Sequence, residues 1–287
     1  MRLLRVFPQW DRRHPWRSSK WRPHDALTAV GDPTLFRPEA DEIHISCVFS
    51  WDIPEGKRLV EAWGQFYPEV LLGGPALGSE ANGFTPGMYI KPGVTFTSRG
   101  CDHRCPWCLV PRREGQLRLL EPAPGHIVQD NNFLQTGRGH MTKVFAMLKT
   151  QPRAAQFSGG LEALLVDDWV AEELRGLRIG QVFLACDTDG AEKPLARALK
   201  RLSFLPRDKL RCYVLLAYGG ETMEKGLARL KRVWELGAMP FAQLYQPLDH
   251  YIEYPPEWKR LARTWSRPAA MKAQMRAVSP AQREGGA

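Results

Sequence analysis

The chain has 287 residues, of which 44% are hydrophobic, and 40 Lys and Arg against 31 Asp and Glu give it a formal net charge of +9. This length allows one large domain, or a large domain with a small one, and the hydrophobic fraction suffices for a packed core. No apolar run approaches the length of a membrane span, which excludes a helical membrane protein. The first eight residues lack the apolar region and cleavage site of a signal peptide, so we expect a cytoplasmic protein.

The positive charge is concentrated at the two ends of the chain. Residues 1–40, rich in Pro, Trp and Arg, hold eight Lys and Arg against four Asp and Glu, and residues 257–287 hold seven against two. Such ends can bind nucleic acid, with Trp10, Trp16 and Trp21 stacking on bases. Equally, they can be solubilising segments whose tryptophans pack onto the rest of the protein.

Residues 41–90 predict a small Rossmann-like βαβ region. Runs of apolar and β-branched residues predict strands over 42–49 and 69–72, and the spacing of the apolar residues predicts a helix over 54–67. Two glycines and a proline close the second strand.

Three cysteines follow a predicted strand over 94–98. Cys101, Cys105 and Cys108 have the spacing C-x3-C-x2-C, and Trp107 stands immediately before the third. Three thiolates on one short loop can hold three irons of a cubane and leave the fourth iron without a protein ligand. An open metal position is typical of catalytic sites.

Other uses of these cysteines stay open. A structural zinc site, in a non-catalytic interaction protein, usually has four Cys or His ligands. His103 lies inside the loop, too close along the chain to reach round to the same metal, and there is no second cysteine pair. A disulfide would leave one cysteine over. Cys47, Cys186 and Cys212 lie in apolar strand-like runs, where we expect buried small hydrophobic residues.

The cysteine spacing and Trp107 resemble the signature of the radical S-adenosylmethionine (radical SAM) superfamily. The segment Thr97-Ser98-Arg99-Gly100-Cys101 resembles the entry to the cluster loop in the methylthiotransferase-like and cobalamin-domain branches. The resemblance implies a [4Fe–4S] cluster on Cys101, Cys105 and Cys108, with SAM chelated by the open iron. It also implies a one-electron donor such as flavodoxin or ferredoxin, and reductive cleavage of SAM to a 5′-deoxyadenosyl radical that abstracts hydrogen from a substrate. No motif identifies that substrate.

The rest of the chain alternates strands and helices, as a parallel α/β fold requires. Residues 91–250 match the partial (β/α)6 barrel of the radical SAM family, and a basic tail follows over 251–287. The predicted strands cover residues 94–98, 126–130, 155–158, 180–185, 210–216 and 239–245, with helices over 141–149, 168–177, 192–202 and 221–236.

Polar or small residues follow the predicted strands, where active sites of β/α barrels lie. The segment Asp130-Asn131-Asn132 resembles the variant that cobalamin-domain relatives carry in place of Gly-Gly-Glu. Helix capping and tight turns are the alternative role for such residues. We assign no catalytic side chain, because the cofactor carries the chemistry. The residues expected to contact SAM are Trp107, Asp130, Asn131, Asn132, Ser158, Gly159, Asp187 and Leu216.

The region over 41–90 resembles a degenerate cobalamin-binding domain. The Asp-x-His-x-x-Gly ligand motif of such domains is absent from it, so we expect no cobalamin. Together with the basic ends of the chain, the resemblance leaves a nucleic-acid-modifying radical SAM enzyme as an alternative.

Overall fold

The computed structural model describes residues 2–8, 21–78, 85–247 and 250–281. Trp10, Trp16 and the last residues of the basic tail lie outside the described residues. The chain divides into an N-terminal unit, residues 1–94 and 248–251, and a C-terminal unit, residues 95–247 and 252–287. Both are built of parallel strands and helices, which confirms the α/β class. Within the described part of the chain, no helix is long and apolar enough to cross a membrane.

The elements of the N-terminal unit are β1 (Leu3–Phe7), β2 (Thr28–Val30), β3 (Glu42–Ser46), α1 (Ile53–Gly64) and β4 (Val70–Gly73). The four strands form a parallel sheet with the order β2-β1-β3-β4. This order changes direction between β1 and β3, as it does in doubly wound sheets. The predicted strands and helix over 42–72 are confirmed, whereas no strand was predicted within residues 1–40, where β1 and β2 lie.

The helix of this unit covers the sheet with an apolar face. Leu59 and Trp63 of α1 are fully buried against Leu4 and Ile45 of the strands. Trp63 also donates a hydrogen bond from its indole N–H to the carbonyl of Gly31 at 3.0 Å, so its polar atom is satisfied inside the core.

The strands that follow along the chain are β5 (Val94–Thr95), β6 (Ser98–Arg99), β7 (Arg118–Leu119), β8 (Ile127–Val128), β9 (Ala155–Phe157), β10 (Ile179–Ala185), β11 (Leu210–Leu216) and β12 (Met239–Leu244). Six of them form the second sheet in the order β12-β11-β10-β9-β8-β5, and its pairs from β8 to β12 are parallel. The helices are α2 (Val110–Arg113), α3 (Arg138–Lys149), α4 (Asp168–Arg175), α5 (Glu192–Arg201), α6 (Met223–Glu235), α7 (Pro256–Ser266) and α8 (Pro268–Ala281).

All six predicted strands occur in the second sheet, but the first is divided. β5 pairs with β8 in that sheet, whereas β6 pairs with β7 in a separate antiparallel hairpin. The region predicted only as a basic tail forms α7 and α8. Its apolar residues Trp258, Leu261 and Trp265 recur at helical spacing, which is the sequence signal for α7.

Alternate residues of the central strands face a core shared with the helices. Val182 and Leu184 of β10 and Val214 of β11 are fully buried with Leu195 of α5 and Leu230 of α6. Because side chains alternate between the faces of a strand, the residues between them lie on the opposite face of the sheet. Cys47, Cys186 and Cys212 are all buried, as predicted.

The opposite face of these strands carries an aromatic cluster. The rings of Phe183 and Tyr213 stack with centroids 4.5 Å apart, and Tyr213 meets Phe241 edge-on at 5.6 Å. This cluster lies on one face of β10, β11 and β12.

Candidate cofactor site at the cysteine loop

Cys101, Cys105 and Cys108 lie on the loop between β6 and α2. All three are half-buried and free of disulfides. The backbone N–H of Cys108 donates to the carbonyl of Cys105 at 3.0 Å, which folds the loop back on itself. Burial raises the pKa of Cys105, and the charges of Cys108 and Cys101 raise it further, so the three thiols are electrostatic neighbours.

Within the described residues, no three His, Cys, Asp or Glu side chains are placed so that they could hold a single metal ion between them. Cysteines that bind different irons of one cubane do not converge on a single point. The relevant properties of this loop are therefore the number of thiols, their partial burial and their proximity.

The entry to the loop is fixed by Gly100 and Glu114. Gly100 has a φ of +76°, and a Cβ there would lie 2.0 Å from the carbonyl oxygen of Gln116. The buried carboxylate of Glu114 accepts hydrogen bonds from Gly100 N–H at 3.2 Å, Arg99 at 2.8 Å and Asn131 at 2.6 Å. Burial raises the pKa of Glu114, but Arg99 and the hydrogen bonds outweigh it and lower that pKa overall. Glu114 thus ties the loop to the end of β8.

Asp130, which follows β8, also binds the segment that leads into the cysteine loop. Its buried carboxylate accepts hydrogen bonds from the Thr97 N–H at 2.6 Å, the Thr97 hydroxyl at 2.5 Å and the Ser98 hydroxyl at 2.8 Å. Burial raises the pKa of Asp130 despite these donors. These contacts hold the strand segment that leads into the loop, and the predicted contact of Asp130 with SAM stays a prediction.

Asn132 places an unsatisfied acceptor beside the first cysteine. Its amide nitrogen donates to Glu162 at 2.7 Å, while its buried Oδ1 has no hydrogen-bond partner among the described residues. A hydrogen bond from Asn132 counteracts the burial that raises the pKa of Cys101. Glu162 also meets Nε2 of His103 at 2.9 Å. A hydrogen-bond donor brought to this position would find Asn132 and Glu162 as acceptors.

Ser158 and Gly159 make close contacts within the protein. A Cβ on Gly159 would lie 1.8 Å from the carbonyl oxygen of Asp130, so only glycine lets the ends of β8 and β9 approach this closely. The carbonyl of buried Ser158 accepts a hydrogen bond from the Tyr213 hydroxyl at 2.8 Å. Their contact with SAM also stays a prediction.

A cavity of about 310 Å³ opens at the carboxyl ends of β10 and β11, next to the cysteine loop. Trp107 of the loop forms one wall and meets the ring of Tyr218 edge-on at 5.5 Å. Asp187 accepts a hydrogen bond from Leu215 N–H at 3.0 Å, and burial raises its pKa although Trp107 also donates to it. The charge of Asp187 acts on Cys105. The cavity is lined by Trp107, Asp187, Leu215, Tyr218, Glu221 and Arg229, among others.

The turn after β11 shapes the cavity. Ala217 adopts a left-handed φ of 63°, and its N–H donates to Glu221 at 3.0 Å. Glu221 pairs with buried Arg229, which donates to the carbonyl of Leu215 at 2.9 Å. Leu216 itself is fully buried against α6, so the neighbouring Leu215 lines the cavity instead.

The structure thus brings two of the predicted SAM contacts, Trp107 and Asp187, to one cavity beside the cysteines. Sequence reasoning missed Glu114 and Glu162, whose partners lie far from them along the chain. A scan against models of known protein families found no match, and a search of curated proteins found none either.

Proposed function

We propose that the protein is a radical SAM enzyme whose cysteine loop holds a [4Fe–4S] cluster with one open iron. The observation that carries the proposal is the loop itself: three free, half-buried thiols on one short loop, beside a cavity that Trp107 of the same loop lines. When bound, the reduced cluster and SAM supply a 5′-deoxyadenosyl radical able to abstract hydrogen from a substrate C–H bond.

The residues present fit these two groups. Three thiols leave one iron of a cubane free, and the buried Oδ1 of Asn132, whose side chain contacts Cys101, has no donor among the residues that the structure describes. The cavity of about 310 Å³ falls at the lower end of the range for small-molecule sites, which is about 300–1,000 Å³. Its aromatic walls suit a planar base.

The order of the strands supports a partial (β/α)6 barrel. Each strand from β8 to β12 lies parallel beside the next one along the chain, with a helix in every connection. The site residues follow β8, β9, β10 and β11 at their carboxyl ends, where ligands of β/α barrels bind.

In this proposal the side chains bind and orient SAM, and none of them transfers a proton. Asn132 and Glu162 accept hydrogen bonds from the ammonium group of SAM. The adenine packs against the wall that Trp107 and Tyr218 form together, and Asp187 accepts from the ribose hydroxyls. Glu114 and Asp130 act as positioning residues, since they hold the loop through its neighbours.

The test is the production of 5′-deoxyadenosine by anaerobically reconstituted protein given SAM and dithionite, measured by liquid chromatography and mass spectrometry. We expect the wild type to form it and Cys105→Ala to form none. Cys212→Ala, which removes a buried thiol outside the loop, is the matched control and should retain the activity. A wild-type protein that holds iron and sulfide yet never cleaves SAM would contradict the proposal.

A further inference from the structure

The outer surface of α7 and α8 is strongly basic. Residues 256–276 contain six Lys and Arg but a single acidic residue, Glu257. The apolar side of both helices faces inward: Trp265 of α7 and Met271 of α8 are fully buried in the core of the C-terminal unit, and α7 packs along β12. The cations are therefore left on the outside.

Five of these cations form what we call the basic helical surface: Arg260, Arg263, Arg267, Lys272 and Arg276. All five are exposed. Arg260 and Arg263 are spaced i and i+3 on one side of α7, and Arg267 stands immediately after the end of that helix, before α8 begins. The two on α8 are spaced i and i+4, again on one side of the helix.

Within the part of the chain that the structure describes, none of the five has an acidic partner. Some exposed arginines elsewhere in the same unit do have one: Arg138 pairs with Asp167, Arg175 with Glu172 and Arg201 with Asp168. Unpaired like charges on adjacent turns repel one another. A polyanion laid across them would remove that repulsion.

The composition of the surface indicates which polyanion fits. Four of its five cations are arginines, whose planar guanidinium groups bind phosphate through two parallel hydrogen bonds. Helices that bind membrane surfaces insert an apolar face between the lipids. Here that face is inside the protein core, with Trp265 and Met271 fully buried. A phosphate backbone therefore fits better than a bilayer.

We propose that the basic helical surface binds the sugar–phosphate backbone of nucleic acid. This binding needs neither the cluster nor SAM, so it goes beyond the proposed function and can fail or succeed separately from it.

The test is fluorescence anisotropy of the full-length protein with a labelled single-stranded RNA of about 20 nucleotides, with salt varied from about 50 to 200 mM. Each phosphate contact adds about −0.7 to the slope of log K against log salt for a single strand, so five contacts give roughly −3.5. The triple variant Arg260→Gln, Arg263→Gln, Arg267→Gln should reduce the slope to roughly −1.4 and weaken binding about 100-fold at 0.1 M salt.

The matched control is the triple variant Arg138→Gln, Arg175→Gln, Arg201→Gln, which removes the same net charge from ion-paired positions. It should bind RNA within about threefold of the wild type. Thermal unfolding followed by circular dichroism checks that both variants fold. The proposal would be overturned if both triple variants weakened RNA binding equally, or if the wild type showed no salt-dependent RNA binding at the lowest salt. So would a test triple that loses binding only to phosphatidylserine vesicles while its RNA binding is unchanged.

Discussion

Glu114→Gln tests the account of how the cysteine loop is held in place. The Glu114 side chain is only 5% exposed and accepts hydrogen bonds from Arg99, from Gly100 N–H and from Asn131. Glutamine keeps the shape and one oxygen, but it turns the other acceptor into an N–H donor and removes the charge. At least one of these donors then faces another donor in a buried position.

We expect this substitution to lower the free energy of unfolding by about 3 kcal/mol, since a hydrogen bond to a charged group contributes roughly 1.5–3 kcal/mol. With a denaturant slope of about 2–3 kcal/mol per molar urea, the unfolding midpoint falls by roughly 1 M. Tryptophan fluorescence in urea measures it. Glu172→Gln, at an exposed ion pair with Arg175, is the control and should change stability by less than about 0.5 kcal/mol.

The effect should also depend on pH. The pKa of Glu114 is lowered in the folded protein from its ordinary value of 4.5. The contribution of Glu114 to the free energy of unfolding is therefore complete above 4.5. It is lost as the pH falls through the lower pKa of the folded protein. The difference in unfolding midpoint between the wild type and Glu114→Gln should shrink below a pH of about 4. Equal midpoints near neutral pH, or a difference that does not change with pH, would refute this account.

Three further predictions separate structural from ligand-binding roles. Gly100→Ala should abolish cluster assembly, measured as iron per chain, whereas Gly115→Ala, at a similar φ but with nothing within 4 Å of its Cβ, should largely retain it. Asp130→Ala should destabilise the protein by roughly 2–4 kcal/mol in urea and lower its iron content, because it leaves buried donors unpaired. Normal stability with impaired SAM binding would instead favour a direct contact between Asp130 and SAM. Leu216→Ala should lower the free energy of unfolding by about 2–5 kcal/mol. Leu215→Ala should instead weaken SAM binding, measured by calorimetry, with little loss of stability. The reverse pattern would show that the two faces of β11 are wrongly assigned.

The parallel α/β architecture was predictable from the sequence because short, apolar-rich stretches that end at polar or glycine residues alternate with helix-forming stretches between residues 126 and 245. The cysteine loop was also evident, since its spacing is local. β1 and β2 were not predicted because they are short and flank a stretch rich in Pro and Arg. α7 was overlooked because the basic residues of the tail obscured the spacing of Trp258, Leu261 and Trp265.

Residues whose role depends on distant partners could not be found from the sequence. Glu114 follows two arginines in a short polar stretch, and only folding brings it to Gly100 and Asn131. Glu162 likewise meets Asn132 across the ends of two strands. The choice between Leu215 and Leu216 depends on the register of one strand, because a shift of one residue exchanges the two faces.

Electron paramagnetic resonance of the dithionite-reduced protein, before and after addition of SAM, tests the central claim most directly. In the proposed function, three cysteines leave one iron open and SAM binds to that iron rather than to a site beside the cluster. We predict a signal typical of a reduced [4Fe–4S] cluster that requires Cys101, Cys105 and Cys108 and changes in shape when SAM is added. A protein with stoichiometric zinc and no such signal, or a cluster signal that SAM leaves unchanged, would contradict the account.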